Sequence, residues 1–176
     1  MKILILTCNT GGGHNAAAKA LALQASDMGI DAEIKNALEF FPSQVENLIT
    51  KGHVYLYRKH PRMYAIGYRF EENHPGKIPL QSLSLFCDSF IEYVKNGGYN
   101  AIVSVHPIGS FLTSAARITA VDFPLSYFVA TDYACSPSVE QLDVEAWFVP
   151  VKLTDEFVRC GVPESKIRET GIPVNP

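Results

Sequence analysis

Short apolar runs recur along this chain, separated by longer stretches with helical spacing. Residues 2–7 contain Ile3-Leu4-Ile5-Leu6, a continuous run of the kind that parallel sheets bury on both faces. Residues 31–36 follow, with Ala32 and Ile34 on one face, and then 101–105, 125–129 and 146–149. Between them, residues 14–28 set Ala18, Leu21, Ala22, Ala25 and Met28 on one side of a helix, with Gly29 as its C-terminal stop. Residues 80–96, 109–120 and 152–160 read as further helices, the last closed by Gly161. Strands alternating with helices predict an α/β fold, a Rossmann-like open parallel sheet with flanking helices. Residues 37–79 are too long for a plain connection, so a helical insertion is expected there, over 44–60 and 61–72 with Pro61 between them.

Composition narrows the class without naming a function. The chain has 176 residues, 47% of them hydrophobic and 19% charged, with a formal net charge of -3. Those values fit one folded domain and carry no global nucleic-acid signature. Cys8, Cys87, Cys135 and Cys160 are scattered with no Cys-x-x-Cys pair, which argues for reduced thiols rather than a disulfide framework or a zinc site. The apolar stretch at the N-terminus is too short for a secretory signal, and no run approaches the roughly 20 apolar residues of a membrane span.

In open parallel sheets, ligands bind beyond the carboxyl ends of the strands, so the residues following each strand are the candidates for chemistry. Gly11, Gly12, Gly13 and His14 follow the first strand and open the first helix, with Asn15 beside them. Such a turn directs backbone N–H groups at a ligand, and a histidine there is suited to take a proton near neutral pH. It is equally suited to cap the helix or face solvent. His106-Pro107 follows the 101–105 strand, as a ligand contact or as a strand end fixed by proline geometry. Thr131, Asp132 and Tyr133 follow the 125–129 strand. Asp132 is placed to orient a histidine or bind a hydroxyl, or else to cap a turn; Thr131 and Tyr133 read as supporting residues. Gly11, Gly13 and Ala16 also fit a variant dinucleotide fingerprint, but no acidic residue closes the second strand near Asn36, and Glu39 comes late.

Residues 51–69 form a local basic and aromatic segment with no acidic residue. Lys51, Arg58, Lys59, Arg62 and Arg69 are interleaved with Tyr55, Tyr57, Tyr64 and Tyr68. That mixture suits the headgroup zone of an anionic bilayer, here through Lys51, Tyr55, Arg58, Lys59, Arg62, Tyr64 and Arg69. The alternative is a solvated helix face with core tyrosines. Nucleic acid fits less well, because nothing else in the chain is basic.

Taken in order, Gly-Gly-Gly-His with Ala-Ala and a helix, Val103-x-x-His106-Pro107, the strand end Thr131-Asp132-Tyr133, and Phe148-Val149-Pro150 leading to Gly171-Ile172-Pro173-Val174 resemble the N-terminal half of monogalactosyldiacylglycerol synthases. Processive diacylglycerol glucosyltransferases are relatives. The resemblance implies a GT-B glycosyltransferase, with residues 1–170 as the acceptor-binding domain and 171–176 as the start of a linker to a donor-binding domain. It implies inverting transfer of hexose from a UDP-sugar to diacylglycerol or a related lipid, with His14 as catalytic base. Acceptor contacts would come from Gly11, Gly12, Gly13, Asn15, His106, Pro107, Thr131, Asp132 and Tyr133. No metal or cofactor is implied; UDP-hexose is a substrate bound mainly by the other domain. The implied setting is cytoplasmic, peripheral on the inner face of the cell membrane. Many family members carry a histidine and a tryptophan after the Thr-Asp pair, whereas here the run is Tyr133-Ala134-Cys135-Ser136-Pro137-Ser138. Apart from the resemblance, the loop also suits a stand-alone nucleotide- or phosphate-binding module.

Overall fold

A computed structural model describes residues 1–9, 12–43, 46 and 79–175. The expected helices over 44–60 and 61–72, and the basic-aromatic segment with Lys51, Tyr55, Arg58, Lys59, Arg62, Tyr64 and Arg69, lie outside the described residues.

Six strands form one parallel sheet: β1 (Lys2–Thr7), β2 (Asp31–Asn36), β3 (Ala101–Ser104), β4 (Leu125–Val129), β5 (Ala146–Val149) and β6 (Ile167–Glu169). Their order is β2-β1-β3-β4-β5-β6. The connection from β1 runs outward to β2, whereas β3 continues to β4 in the opposite direction. The chain therefore reverses between β1 and β3, and this reversal opens a crevice at the carboxyl ends of those two strands.

The side-chain period of two sorts each strand between two layers. Leu4 and Leu6 of β1 and Ile102 of β3 pack with Phe90, Val94, Leu112 and Ala116 of the helices on one face. Ile5 and Val105 pack with Ala18 on the other. That second face is covered by α1 (Gly12–Asp27). The first face is covered by α2 (Leu80–Ser84), α3 (Asp88–Gly97), α4 (Pro107–Thr119) and α5 (Thr154–Arg159). Beyond α1, the second face carries an apolar groove of about 430 Å³ between Leu21, Tyr127, Phe148 and the crossing segment 170–173.

Helix α4 lies close to the sheet because of one glycine. A Cβ at Gly109 would stand 2.9 Å from the Cβ of Leu6 and 3.1 Å from the Oγ of Ser104, closer than side chains ordinarily approach. The α1 stop is at Gly29, whose φ of +71° suits glycine.

Several boundaries differ from the sequence expectation. The helix predicted over 80–96 is two helices with a corner at 85–87, where Leu85 and Phe86 are exposed. The second piece buries Phe90 and Val94, the first packs the partly buried Leu80 and Leu83 against the core, and no glycine or proline marks the corner. Met28, expected on the apolar face of α1, is exposed, because α1 ends at Asp27 and the chain turns before Gly29. Strand β3 ends at Ser104 rather than 105, and α4 begins at Pro107 rather than 109. The helix expected over 152–160 is confined to Thr154–Arg159. Strand β6 was not anticipated; its three residues are too few to show a period, and pairing with β5 defines it.

Candidate active site

The first strand delivers the chain to the crevice, and α1 begins there at Gly12. Gly12 and Gly13 belong to the first turn of the helix, and their φ angles are not in the left-handed region. A Cβ on either meets no described atom within 4 Å. Neither internal packing nor backbone conformation demands glycine at these positions, so their effect is to leave open space in front of the helix. Gly11 lies outside the described residues. The first turn holds no acidic side chain, and the positive end of the helix dipole lies at the carboxyl end of β1.

His14 is half-buried in this first turn. Its Nδ1 is 2.6 Å from the hydroxyl of Thr131 and 3.2 Å from the carbonyl oxygen of Val105. The Thr131 hydroxyl in turn donates to the Val105 carbonyl at 3.0 Å. These contacts join three successive neighbours of the sheet: the helix after β1, the end of β3 and the end of β4. No partner is present at the other ring nitrogen, Nε2, among the described residues.

His106 stands directly against His14. Its ring meets that of His14 edge to face, with centroids 4.5 Å apart and planes at 78°. The residue before proline is held to extended backbone, and His106 has φ −143° and ψ 140°. From there its Nδ1 accepts the N–H of Ile108 at 3.1 Å and caps α4, with Pro107 at the first helical position. Of the two roles weighed for this residue, the strand end fixed by proline geometry is what the backbone shows, and its ring also faces the candidate base.

The remaining predicted residues divide. Thr131 stands against His14. Asp132 is exposed beside it, on a shallow crevice with Pro107 and Ser136, and Tyr133 is 79% exposed. Of the roles weighed for Asp132, orienting a histidine falls at the His14 Nδ1 to Thr131. Asn15 faces inward: its Oδ1 accepts from the Thr7 hydroxyl at 2.8 Å, and its Nδ2 donates to the Oδ1 of Asn9 at 3.0 Å. Asn36, where a dinucleotide site would place an acid, accepts from the N–H groups of Asn9 and Leu38 with its Oδ1. Those bonds fasten the loop between β1 and α1 to the end of β2. Sequence reasoning missed the Val105 carbonyl and this asparagine network. Position just past a strand end was the available signal for Asn9; the Val105 carbonyl had none.

Among the described residues, no cluster of histidine, cysteine, aspartate or glutamate is arranged to hold a metal ion, and no helix is long and apolar enough to cross a membrane.

The layered sheet agrees with the Rossmann-like half expected of a GT-B glycosyltransferase. The solved structure of the lipopolysaccharide outer core galactosyltransferase WaaB in its apo form is similar in fold, with a TM-score of 0.52 at 12% identity. The similarity covers 96% of this chain and 45% of that one, so this chain spans less than half of that transferase's length. No curated protein matches the chain. The family model for monogalactosyldiacylglycerol (MGDG) synthase matches residues 14–174, beginning at the crevice histidine itself. By that match over most of its length, the chain belongs to the monogalactosyldiacylglycerol synthase family.

Proposed function

We propose that this chain is the acceptor-side domain of an inverting glycolipid glycosyltransferase that moves hexose from a UDP-sugar to diacylglycerol or a related lipid. The observation that carries the reading is His14: a half-buried imidazole at the crevice, behind two glycines whose Cβ positions are open, with one ring nitrogen anchored. In the reaction, the acceptor hydroxyl loses its proton to the His14 imidazole. Its oxygen attacks the anomeric carbon from the face opposite UDP. One carbon–oxygen bond forms to the lipid, while the bond to the diphosphate breaks and its electron pair leaves with UDP. A single base meets the proton bookkeeping of such a displacement. His106, Pro107, Thr131, Asp132 and Tyr133 border the acceptor approach.

In this reading residues 1–170 bind the acceptor, and 171–176 lead toward a donor-binding half that binds UDP-hexose and meets the charge of departing UDP. The chain by itself then transfers no sugar. No metal or cofactor is assigned a part. The protein would work on the inner face of the cell membrane, with the basic-aromatic segment against anionic lipid.

The test is full-length protein assayed with UDP-glucose and UDP-galactose against diacylglycerol. Transfer from one donor is expected, and His14→Ala should lower kcat by roughly 100-fold or more, the usual scale for a general base. Near-normal turnover by that variant would remove His14 from the mechanism. Absence of transfer from both donors would overturn the lipid-acceptor reading.

A further inference from the structure

We propose that Thr131 is a positioning residue that fixes the tautomer of His14, so that Nδ1 carries the proton and Nε2 is the base. The inference rests on the reading of His14 as the base, and goes beyond it by assigning the reacting nitrogen and the device that selects it.

Three heavy atoms form a triangle that holds a countable number of protons. The Val105 carbonyl oxygen can only accept. It lies 3.0 Å from the Thr131 Oγ1 and 3.2 Å from the His14 Nδ1, and those two atoms are 2.6 Å apart. The hydroxyl has one proton to give. Donated to the carbonyl, it leaves Oγ1 as an acceptor facing Nδ1, so the imidazole must supply the proton of that short contact. Every edge of the triangle then has a proton on it or shared across it. In the opposite arrangement the hydroxyl donates to an unprotonated Nδ1. The carbonyl oxygen then faces two lone-pair atoms at close range with nothing between them, a repulsive and unpaired contact. The first arrangement is the stable one. In the neutral ring it places the lone pair on Nε2, which has no partner among the described residues.

The lock also serves the charged state. When Nε2 takes the acceptor proton, the imidazolium keeps its Nδ1–H on Thr131, and Thr131 keeps its own proton on Val105. No proton leaves the triangle, and the positive charge meets an oriented chain of hydroxyl and carbonyl dipoles. The lock is a local polar chain between α1 and the ends of β3 and β4, and needs no carboxylate; Asp132 stays outside it.

Long-range nitrogen–proton NMR spectra of protein carrying nitrogen-15 histidine, with the imidazole titrated to its neutral form, report the tautomer directly. His14→Gln identifies the resonance. Wild-type His14 should show a protonated Nδ1 and a bare Nε2. Thr131→Val, of nearly the same shape, leaves Nδ1 only the longer 3.2 Å contact with the Val105 carbonyl, so it should weaken this preference, admitting a measurable share of the Nε2-protonated form, and lower kcat by between about 10-fold and the full effect of removing the base. Thr131→Ser should restore both. A wild-type His14 protonated at Nε2 overturns the lock even if no variant folds, as does an unchanged tautomer in Thr131→Val. The two readings fail separately: a correct tautomer with full activity in His14→Ala keeps the lock and discards the base, while an inactive His14→Ala with the wrong tautomer does the reverse.

Discussion

Two glycines within reach of the crevice serve opposite purposes, and substitution separates them. Gly109 lets α4 touch the sheet, and a methyl group there collides with the Leu6 side chain and the Ser104 hydroxyl. Gly109→Ala should therefore destabilise the fold by about 1–3 kcal/mol, the usual cost of overpacking, read as a lower midpoint in denaturant. Gly13 has open space before it and a helical backbone. Gly13→Ala should leave that midpoint unchanged or raise it slightly, since alanine favours a helix by up to about 1 kcal/mol. It should nonetheless lower kcat/KM for the lipid acceptor, because the methyl group occupies the approach to His14. Unchanged kcat/KM would mean that the glycine provides no clearance. At this scale the sequence was informative where chemistry resides in side chains. His14, His106 and Thr131 were all legible as residues just past strand ends. The Val105 carbonyl was not, because every residue carries one. Asn15, an acceptor contact by the resemblance, has its amide engaged by Thr7 and Asn9, an arrangement that residue type alone does not reveal.

Element boundaries depend on what packs against them, and the β2 edge shows how a single charge can hold one in place. Glu33 accepts hydrogen bonds from the hydroxyls of Tyr93 and Tyr99, the latter at 2.6 Å, and pairs with Lys2 at 3.4 Å. The cluster fastens an edge strand to α3 and the turn after it. The Tyr93 bond, then the Tyr99 bond and Lys2, hold the Glu33 carboxyl below its ordinary value despite some desolvation. A depressed carboxyl stabilises the fold above its unfolded-state pKa, and that contribution disappears as pH falls through the folded value. Glu33→Gln should thus cost on the order of 1 kcal/mol at neutral pH, with the carboxylate partly screened by solvent. The difference from wild type should shrink toward zero in acid; urea midpoints across the acid range would show it, and a constant difference would contradict the linkage. Elements with a clear hydrophobic period were legible in sequence, and β1, β2, β4 and β5 have the expected bounds. The corner between α2 and α3 was not, since an uninterrupted apolar pattern conceals a turn that each short helix makes to reach its own part of the core. Three-residue β6 has no period to read.

The whole molecule carries a net charge of -3, yet residues 51–69 hold five lysines and arginines and no acid. Such a segment favours anionic surfaces, and its attraction falls once the screening length drops below about 10 Å. The protein should sediment with anionic vesicles, more weakly at high salt, and reversing the charge of Arg58, Lys59 and Arg62 should abolish the preference. Equal sedimentation with neutral vesicles would count against a membrane role for this segment. By itself, the sequence determined the layered α/β class, the recurring strand ends that carry the candidate residues, and the family, because hydrophobic period and local motif are properties of neighbouring residues. Tertiary structure decided which strand ends meet. His14 and Thr131 lie 117 positions apart, and they touch because β3 inserts between β1 and β4. It also decided which partner holds the histidine, a threonine rather than the adjacent aspartate, since strand register and the angle of a helix start set hydrogen-bond geometry through contacts between distant parts of the chain.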